Sequence, residues 1–393
     1  MSTRSPRGPF VSLSDAIARG LAPDGGLYVP ERVPRSRDVL APYFEGEALD
    51  VASVVRAAFT FPSPIRWLDE RTGLLELFHG PTAAFKDFGA RFLAESLARL
   101  GVRSTILVAT SGDTGAAVGA AFWRRPGFRV VILYPDGRVS PRQAHQLGAF
   151  GDNVRAFRVA GTFDDCQRMV KEALAARPDT TSANSISLGR LLPQLTYYAS
   201  SALEVERAGR GPASYVVPTG NLGNALACVM ARDMGLPIGD VVLATNVNRV
   251  LPELLETGEY RPAPAVPTLA NAMDVGAPSN LERLRFWHPD VSKVVSADSV
   301  DDAAIQATIQ RVWKEHGVAV CPHTACGLEV LRRRRAKGTW LVAATAHPAK
   351  FETVVEPLIG QKVEPPAALA ELLARPAHAD PMPPKTEALL ARL

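Results

Sequence analysis

Cysteine is scarce in this sequence, net charge is slight, and no apolar run is long. Only four cysteines occur in 393 residues, Cys166, Cys228, Cys321 and Cys326. A chain of this length builds a core without disulfide staples, which points to a reducing compartment. The cysteine spacings match no standard zinc signature, and CPHTAC lacks the CxxC arrangement although His323 stands inside it, so no metal is expected. Charge is nearly balanced: 44 Lys+Arg against 40 Asp+Glu leave +4 at pH 7, interspersed along the chain, which argues against a nucleic-acid partner. The single basic run, Leu331 to Arg335, closes the helix-like TACGLEVLRRRRAKG, where it complements the dipole and Gly338 is the expected cap. No apolar stretch reaches membrane-spanning length, and MSTRSPRGPFVSLSDAIARG has no apolar core of signal-peptide size. The expectation is a soluble, cytoplasmic protein with no membrane partner.

What is present is a globular composition, 47% hydrophobic, with strands and helices in alternation. STILVAT, RVVILYPDG and VRAFRVAG are short β-branched runs separated by helical patterns, the last leading into TFDDCQRMVKEALAARP. A second series follows from Ser214: SYVVPTG, the helical NALACVMARDMG, DVVLATN, VSKVVSAD and the flat apolar GTWLVAATAH. Flat apolar strands belong to parallel sheets covered on both faces. Two α/β layers with a cleft between them are predicted, with ligand groups at the carboxyl ends of strands.

Against this background Lys86 is out of place. A helix from Ala84 to Leu100 puts Asp87, Arg91 and Glu95 on one stripe, predicted to face water, and Lys86 on the adjoining stripe with Ala90, Leu93 and Leu97. Near a helix N-terminus, desolvation and the dipole both favour a neutral amine, and a neutral amine is a nucleophile toward carbonyls. A lysine that merely snorkels out of the first turn is the plain alternative. In ILVATSGDTGAAVGAAF a strand ends at Ala109 and the next helix offers free N–H groups. Thr110, Ser111 and Gly112 suit a carboxylate there, and Asp113 suits a cap or a ligand hydroxyl. In YVVPTGNLGNALACVM, Gly220 and Gly223 let the chain curl around an anion while Asn221 and Asn224 add amide donors. Neither GxGxxG nor GK[ST] occurs there, which removes the usual support for a nucleotide. An amine, an anion cradle and a carboxylate-sized turn together meet the demands of pyridoxal 5'-phosphate chemistry, and Thr345, ending the last strand, would be a neutral partner for the pyridine nitrogen.

The sequence resembles the threonine synthase family of fold-type II pyridoxal-phosphate enzymes. The resemblance rests on STR (2–4), GLAPDGGLYVPE (20–31), FHGPTAAFKDF (78–88), ATSGDTG (109–115), NSISLGRLLPQ (184–194), PTGNLGNALA (218–227), NAMDVGAPSNLER (271–283), PHTA (322–325) and TAHPAKF (345–351). It implies two open, twisted, mostly parallel sheets with helices on both faces and the active site in the cleft. The chain itself reads as an N-terminal helical and irregular segment over 1–75, a lysine-bearing segment over 76–102, a small domain over 103–200, a large cofactor-binding domain over 201–360 and a C-terminal surface appendage over 361–393, rich in Pro and Ala. By the same resemblance Lys86 carries the cofactor and then moves protons. Gly220, Asn221, Leu222, Gly223 and Asn224 hold its phosphate, Asp113 lies near the ring hydroxyl and Thr345 near the ring nitrogen. Thr110, Ser111 and Gly112 hold the substrate carboxylate, while Asn184, Ser185, Arg190, Asn248 and Arg283 are candidates for the substrate phosphate. His79 and His347 are candidates to support the site from behind. The implied reaction converts O-phospho-L-homoserine and water to L-threonine and phosphate by γ-elimination and β-addition, in a monomer or homodimer. Serine/threonine dehydration, an amino-alcohol phosphate lyase, and a silent ligand-binding protein of the same fold are the alternatives. Four positions depart from the family pattern: Ala83 and Leu222 in place of leucine and phenylalanine, Arg249 where an acidic residue often sits, and Cys321 in place of a frequent aspartate.

Overall fold

A computed structural model describes residues 1–393. Its strands are β1 (Ile65–Trp67), β2 (Thr72–Glu76), β3 (Ser104–Ala109), β4 (Phe128–Pro135), β5 (Val154–Val159), β6 (Thr180–Ser182), β7 (Ala213–Pro218), β8 (Ile238–Thr245), β9 (Ser296–Ser299), β10 (Trp340–Ala344) and β11 (Asp380–Met382). They form a six-stranded sheet ordered β1-β2-β10-β7-β8-β9 and a five-stranded sheet ordered β11-β5-β4-β3-β6. Only β1 and β2 pair antiparallel; every other pairing is parallel. The physical cause is legible in STILVA and WLVAA: strands apolar on both faces are stable only between two helical layers. One continuous core joins the sheets, taking in Ile106 and Val108 of β3, Tyr215 and Val217 of β7, Leu341 of β10, and Phe92 and Leu93 of the Lys86–Arg99 helix. The carboxyl ends of β3, β7 and β10 carry TSGDTG, TGNLGN and Thr345.

Four expectations need correcting. The charged stripe of the lysine helix does not face water throughout: Asp87 is fully buried and takes the amide and hydroxyl of Thr82, at 2.9 and 2.7 Å. The chain before the helix folds back over it, and a Cβ on Gly80 would lie within 2.7 Å of the Asp87 Cβ. On the same stripe Arg91 donates to the carbonyls of Ala57 and Ala58, and Glu95 pairs with Arg99 and Arg125. The segment over 1–75 is not all helical and irregular, since β1 and nearly all of β2 lie in it and join the six-stranded sheet. Nor is the tail a mere appendage: β11 lies parallel to β5 as an edge strand, and the Thr386–Leu390 helix packs on the Phe163–Ala176 helix. Finally, the Pro322–Arg334 helix ends on Arg335 at φ 48, three residues before Gly338, and Arg332 and Arg333 are held by Glu329 while Arg334 pairs with Asp298.

Candidate active site

Lys86 is the first residue of its helix, and the Phe85 amide before it donates to the Thr345 carbonyl at 2.8 Å, tying the lysine to the end of β10. Its Nζ sits 4.3 Å from the centre of the Phe85 ring and opens into a cavity of about 700 Å³. Burial first, and then repulsion from Arg190, lower its pKa to about 8 against the pull of Asp113. An appreciable share of this amine is therefore neutral near neutral pH and able to add to a carbonyl.

One end of the cavity is built by TGNLGN. Gly220 has no room for a side chain, because a Cβ would come within 2.7 Å of the Ala272 carbonyl oxygen. Leu222 adopts φ 63 and turns the chain into the Gly223–Asp233 helix, whose first-turn N–H groups have no carbonyl one turn earlier. Asn224 accepts from the hydroxyls of Tyr197 and Tyr198, at 2.7 and 2.8 Å, while its buried Nδ2 has no partner. Asn221 accepts from the amide and hydroxyl of Ser279 and donates to Ser185 Oγ at 2.6 Å. Thr345 and His323 line the same space.

A second lobe of about 500 Å³, sharing Lys86, Asp113, Ser185 and Asn221, is walled by Thr110, Ser111 and Asn184. Thr110 Oγ1 accepts from the amides of Gly112 and Gly115, both at 2.9 Å, which leaves only its proton to offer a ligand. Gly112, at φ 132, has Gln143 packed where a Cβ would be. Asn184 is braced by a 2.9 Å bond to the Ala109 carbonyl.

Arg190 is buried beside the lysine, its approach permitted by Gly89, and it makes no ion pair; Nη1 donates to the Ala183 carbonyl, whereas Nε has no partner. Burial lowers its pKa to about 10, so it remains a cation at neutral pH. Two other phosphate candidates are elsewhere. Arg283 is fully buried with its guanidinium committed to the carbonyls of Tyr28, Ser185 and Ile186 and to Asn280 Oδ1. Asn248 is committed to Asn246 and Val266. Neither lines a lobe. His79 pairs with Glu76 at 2.8 Å, and His347 caps the Pro348–Phe351 turn and is held neutral, its pKa lowered to about 4 chiefly by burial; both stand outside the cavity. Arg249, one of the departures, pairs with Glu253 and Glu256, and Cys321 caps the Pro322–Arg334 helix through a 3.5 Å contact from the Thr324 amide.

Sequence reasoning gave no role to His323 or Lys350, although PHTA and TAHPAKF both stood out. His323 Nε2 accepts from the Ala272 amide at 3.1 Å, and burial lowers its pKa to about 4, so the ring is neutral. Lys350 is 1% exposed and pairs with Asp113 at 2.7 Å. No periodicity signals either contact, since each depends on two elements distant in sequence.

The donor set suits pyridoxal phosphate: an amine for its aldehyde, a helix N-terminus and an unpartnered amide for its phosphate, and a hydroxyl for its ring nitrogen. The fold and this site define a pyridoxal-phosphate-dependent enzyme of fold type II, and residues 68–342 match the family described as pyridoxal-phosphate dependent enzyme. Residues 1–60 match the threonine synthase N terminus and 324–391 the threonine synthase C-terminal region. The chain belongs to the threonine synthase family. It is 38% identical to the threonine synthase of Escherichia coli over 92% of this chain and 91% of that one, and 37% identical to that of Haemophilus influenzae over 95% and 94%. Among solved structures it is similar to the Escherichia coli enzyme (TM-score 0.92, 36% identity, 97% and 96% of the chains) and to the pyridoxal-phosphate-bound threonine synthase of Brucella melitensis (TM-score 0.90, 34% identity, 100% and 98%). A threonine deaminase and a serine racemase, at 18% and 16% identity, share the fold alone.

Proposed function

We propose that the protein converts O-phospho-L-homoserine and water to L-threonine and phosphate. Arg190 is the observation that carries this reading. A buried guanidinium with no carboxylate partner, lining the cavity that holds the reactive amine, calls for an anion brought in by a ligand.

Lys86 would hold the cofactor's aldehyde, Gly220 to Asn224 its phosphate, Thr345 its ring nitrogen, and Asp113 would lie by its ring hydroxyl. When bound, pyridoxal phosphate supplies an electron-withdrawing ring that acidifies the Cα–H bond of an amino acid. The Thr110 hydroxyl, its acceptor sites filled, donates to the substrate carboxylate together with Ser111; the Gly112 amide has no part in this, being spent on Thr110 Oγ1. Asn184, Ser185 and Arg190 grip the substrate phosphate; Asn248 and Arg283 have no part in this, being spent on the protein's own groups. Lys86 Nζ, freed once substrate amine replaces it, takes the Cα proton and later returns protons to the carbon chain, a role its lowered pKa suits. A Cβ proton is then lost as the Cγ–O bond breaks and phosphate leaves; water adds at Cβ while a proton is delivered to Cγ and finally one is returned to Cα. All these residues come from one chain, so the reading requires no second copy. We place the protein in the cytoplasm, consistent with four free, buried cysteines, and no helix is long and apolar enough to cross a membrane.

Borohydride reduction of the cofactor-loaded protein, followed by peptide mass analysis, tests the anchor. The pyridoxyl group should appear on the peptide containing Lys86; a reduced, active sample with Lys86 unmodified would overturn the assignment.

A further inference from the structure

Asp113 and Lys350 form an ion pair that stability does not explain. Asp113 is 4% and Lys350 1% exposed, with Nζ 2.7 Å from Oδ1. Burying two charges costs several kcal/mol per ion in general, and an apolar pair of similar volume often serves stability as well or better. The pair is moreover one-sided. Asp113 lines both lobes of the cavity, whereas Lys350 lines neither and approaches from behind. Asp113 Oδ1 also receives Gln143 Nε2 at 2.9 Å, so Lys350 and Gln143 occupy one oxygen and leave Oδ2 for the cavity. Lys350 is fixed in turn by a 2.9 Å bond to the Thr82 carbonyl, four residues before the reactive lysine.

We propose that Lys350 is a positioning residue for the cofactor chemistry: it holds Asp113 as an oriented carboxylate beside Lys86, and so sets the pH at which the lysine–cofactor linkage gains its proton. The proposal rests on Lys86 as the cofactor anchor. The groups facing Asp113 are Lys86 from its helix, Lys350 from the Pro348–Phe351 turn, and His323 and Cys321 at the start of the Pro322–Arg334 helix. Around Lys350 stand Asp87 and the neutral His347. Burial pushes the Asp113 carboxyl up, and Lys350 foremost among its neighbours outweighs that and holds it below the usual carboxylate range. His323 and His347 are both pushed down to about 4, so Lys350 is the cation that keeps the charge on Asp113 at neutral pH.

The test is a pH titration of the bound cofactor's visible absorbance in the holoenzyme, for the unaltered chain, Asp113→Asn, Lys350→Met, Lys350→Arg and the Asp113→Asn/Lys350→Met double variant. Losing the carboxylate's charge destabilises the protonated linkage, so the Asp113→Asn midpoint should fall by about one pH unit or more. Lys350→Met should fall with it, the double variant should match Asp113→Asn alone, and Lys350→Arg should restore the midpoint. A rise in the Lys350→Met midpoint would mean that Lys350 acts as a repelling cation, and an additive double variant would mean that it acts independently; either overturns the proposal. If Lys350→Met does not fold, the comparison of Asp113→Asn with the double variant, which leaves no unpaired buried charge, decides alone. Absence of any cofactor band in the unaltered chain, or reduction failing to mark Lys86, would fault the anchor instead.

Discussion

At the scale of the residue, the site is a set of side chains whose surroundings decide their charge. Arg190 is a cation without an ion-pair partner that lines the cavity, and its guanidinium is the group a substrate phosphate would meet. Arg190→Gln should raise KM for a phosphorylated substrate by tens of fold, corresponding to about 2–3 kcal/mol for a lost charge-assisted bond. Steady-state kinetics checks this, and an unchanged KM removes Arg190 from the phosphate grip. His323 and Asp87 pull stability in opposite directions with pH. His323 has a folded pKa of about 4 against 6.5. Between these values the unfolded chain carries a proton that the native ring refuses, so stability rises with pH across that window, by about 3 kcal/mol. Asp87 has a folded pKa of about 6 against 3.8, because burial outweighs its bonds to Thr82. The native state holds that proton longer, so its contribution falls as pH climbs from 3.8 to 6. His323→Gln should therefore lower the slope of melting temperature against pH between 4 and 6.5, leaving the opposing Asp87 contribution uncompensated; a slope equal to that of the unaltered chain would show that the ring is not buried neutral. Lys86 was legible in the sequence because an amine among apolar stripes is a local anomaly. Lys350 was not, because its partner Asp113 is more than two hundred residues away along the chain. Arg283 was misleading for the same reason, its guanidinium being absorbed by carbonyls that no local pattern could associate with it.

At the scale of the element, the strands were legible and the turns less so. Flat apolar runs such as STILVA and WLVAA announce buried parallel strands by composition alone. The helix of Lys86 was found by period, but period could not reveal that HGPT folds back to bury Asp87. That fold-back fixes the first turn of the helix and with it the lysine. The TGNLGN turn is the other element on which the site depends, and its tightest point is Gly220. Gly220→Ala would drive a methyl group against the Ala272 carbonyl oxygen, 2.7 Å away. The variant should release cofactor at least about tenfold more readily on dialysis, a loss of about 1.4 kcal/mol or more. Retention equal to that of the unaltered chain would mean that the loop can give way without disturbing the phosphate cradle.

At the scale of the whole molecule, two sheets bring three strand ends from distant parts of the chain to one cleft, and the tail helps to complete the smaller sheet. Met382 on β11 and Leu389 beyond it are buried in the core beside β5 and the Phe163–Ala176 helix. Removing residues 361–393 should cost roughly 3–6 kcal/mol from these two side chains alone and uncover the edge of β5. A thermal melt should show a lower midpoint or aggregation, and an unaltered melt would make the tail dispensable. The sequence placed the tail outside because Pro and Ala dominate it, and a three-residue strand carries no periodic signal. The central claim, a threonine-forming reaction that breaks the Cγ–O bond and adds water at Cβ, is tested most directly by supplying O-phospho-L-homoserine in ¹⁸O-labelled water. Mass spectrometry should find the label in the hydroxyl of L-threonine and none in the initially released phosphate. Label in the phosphate, which marks simple hydrolysis at phosphorus, or phosphate release without threonine, would contradict it.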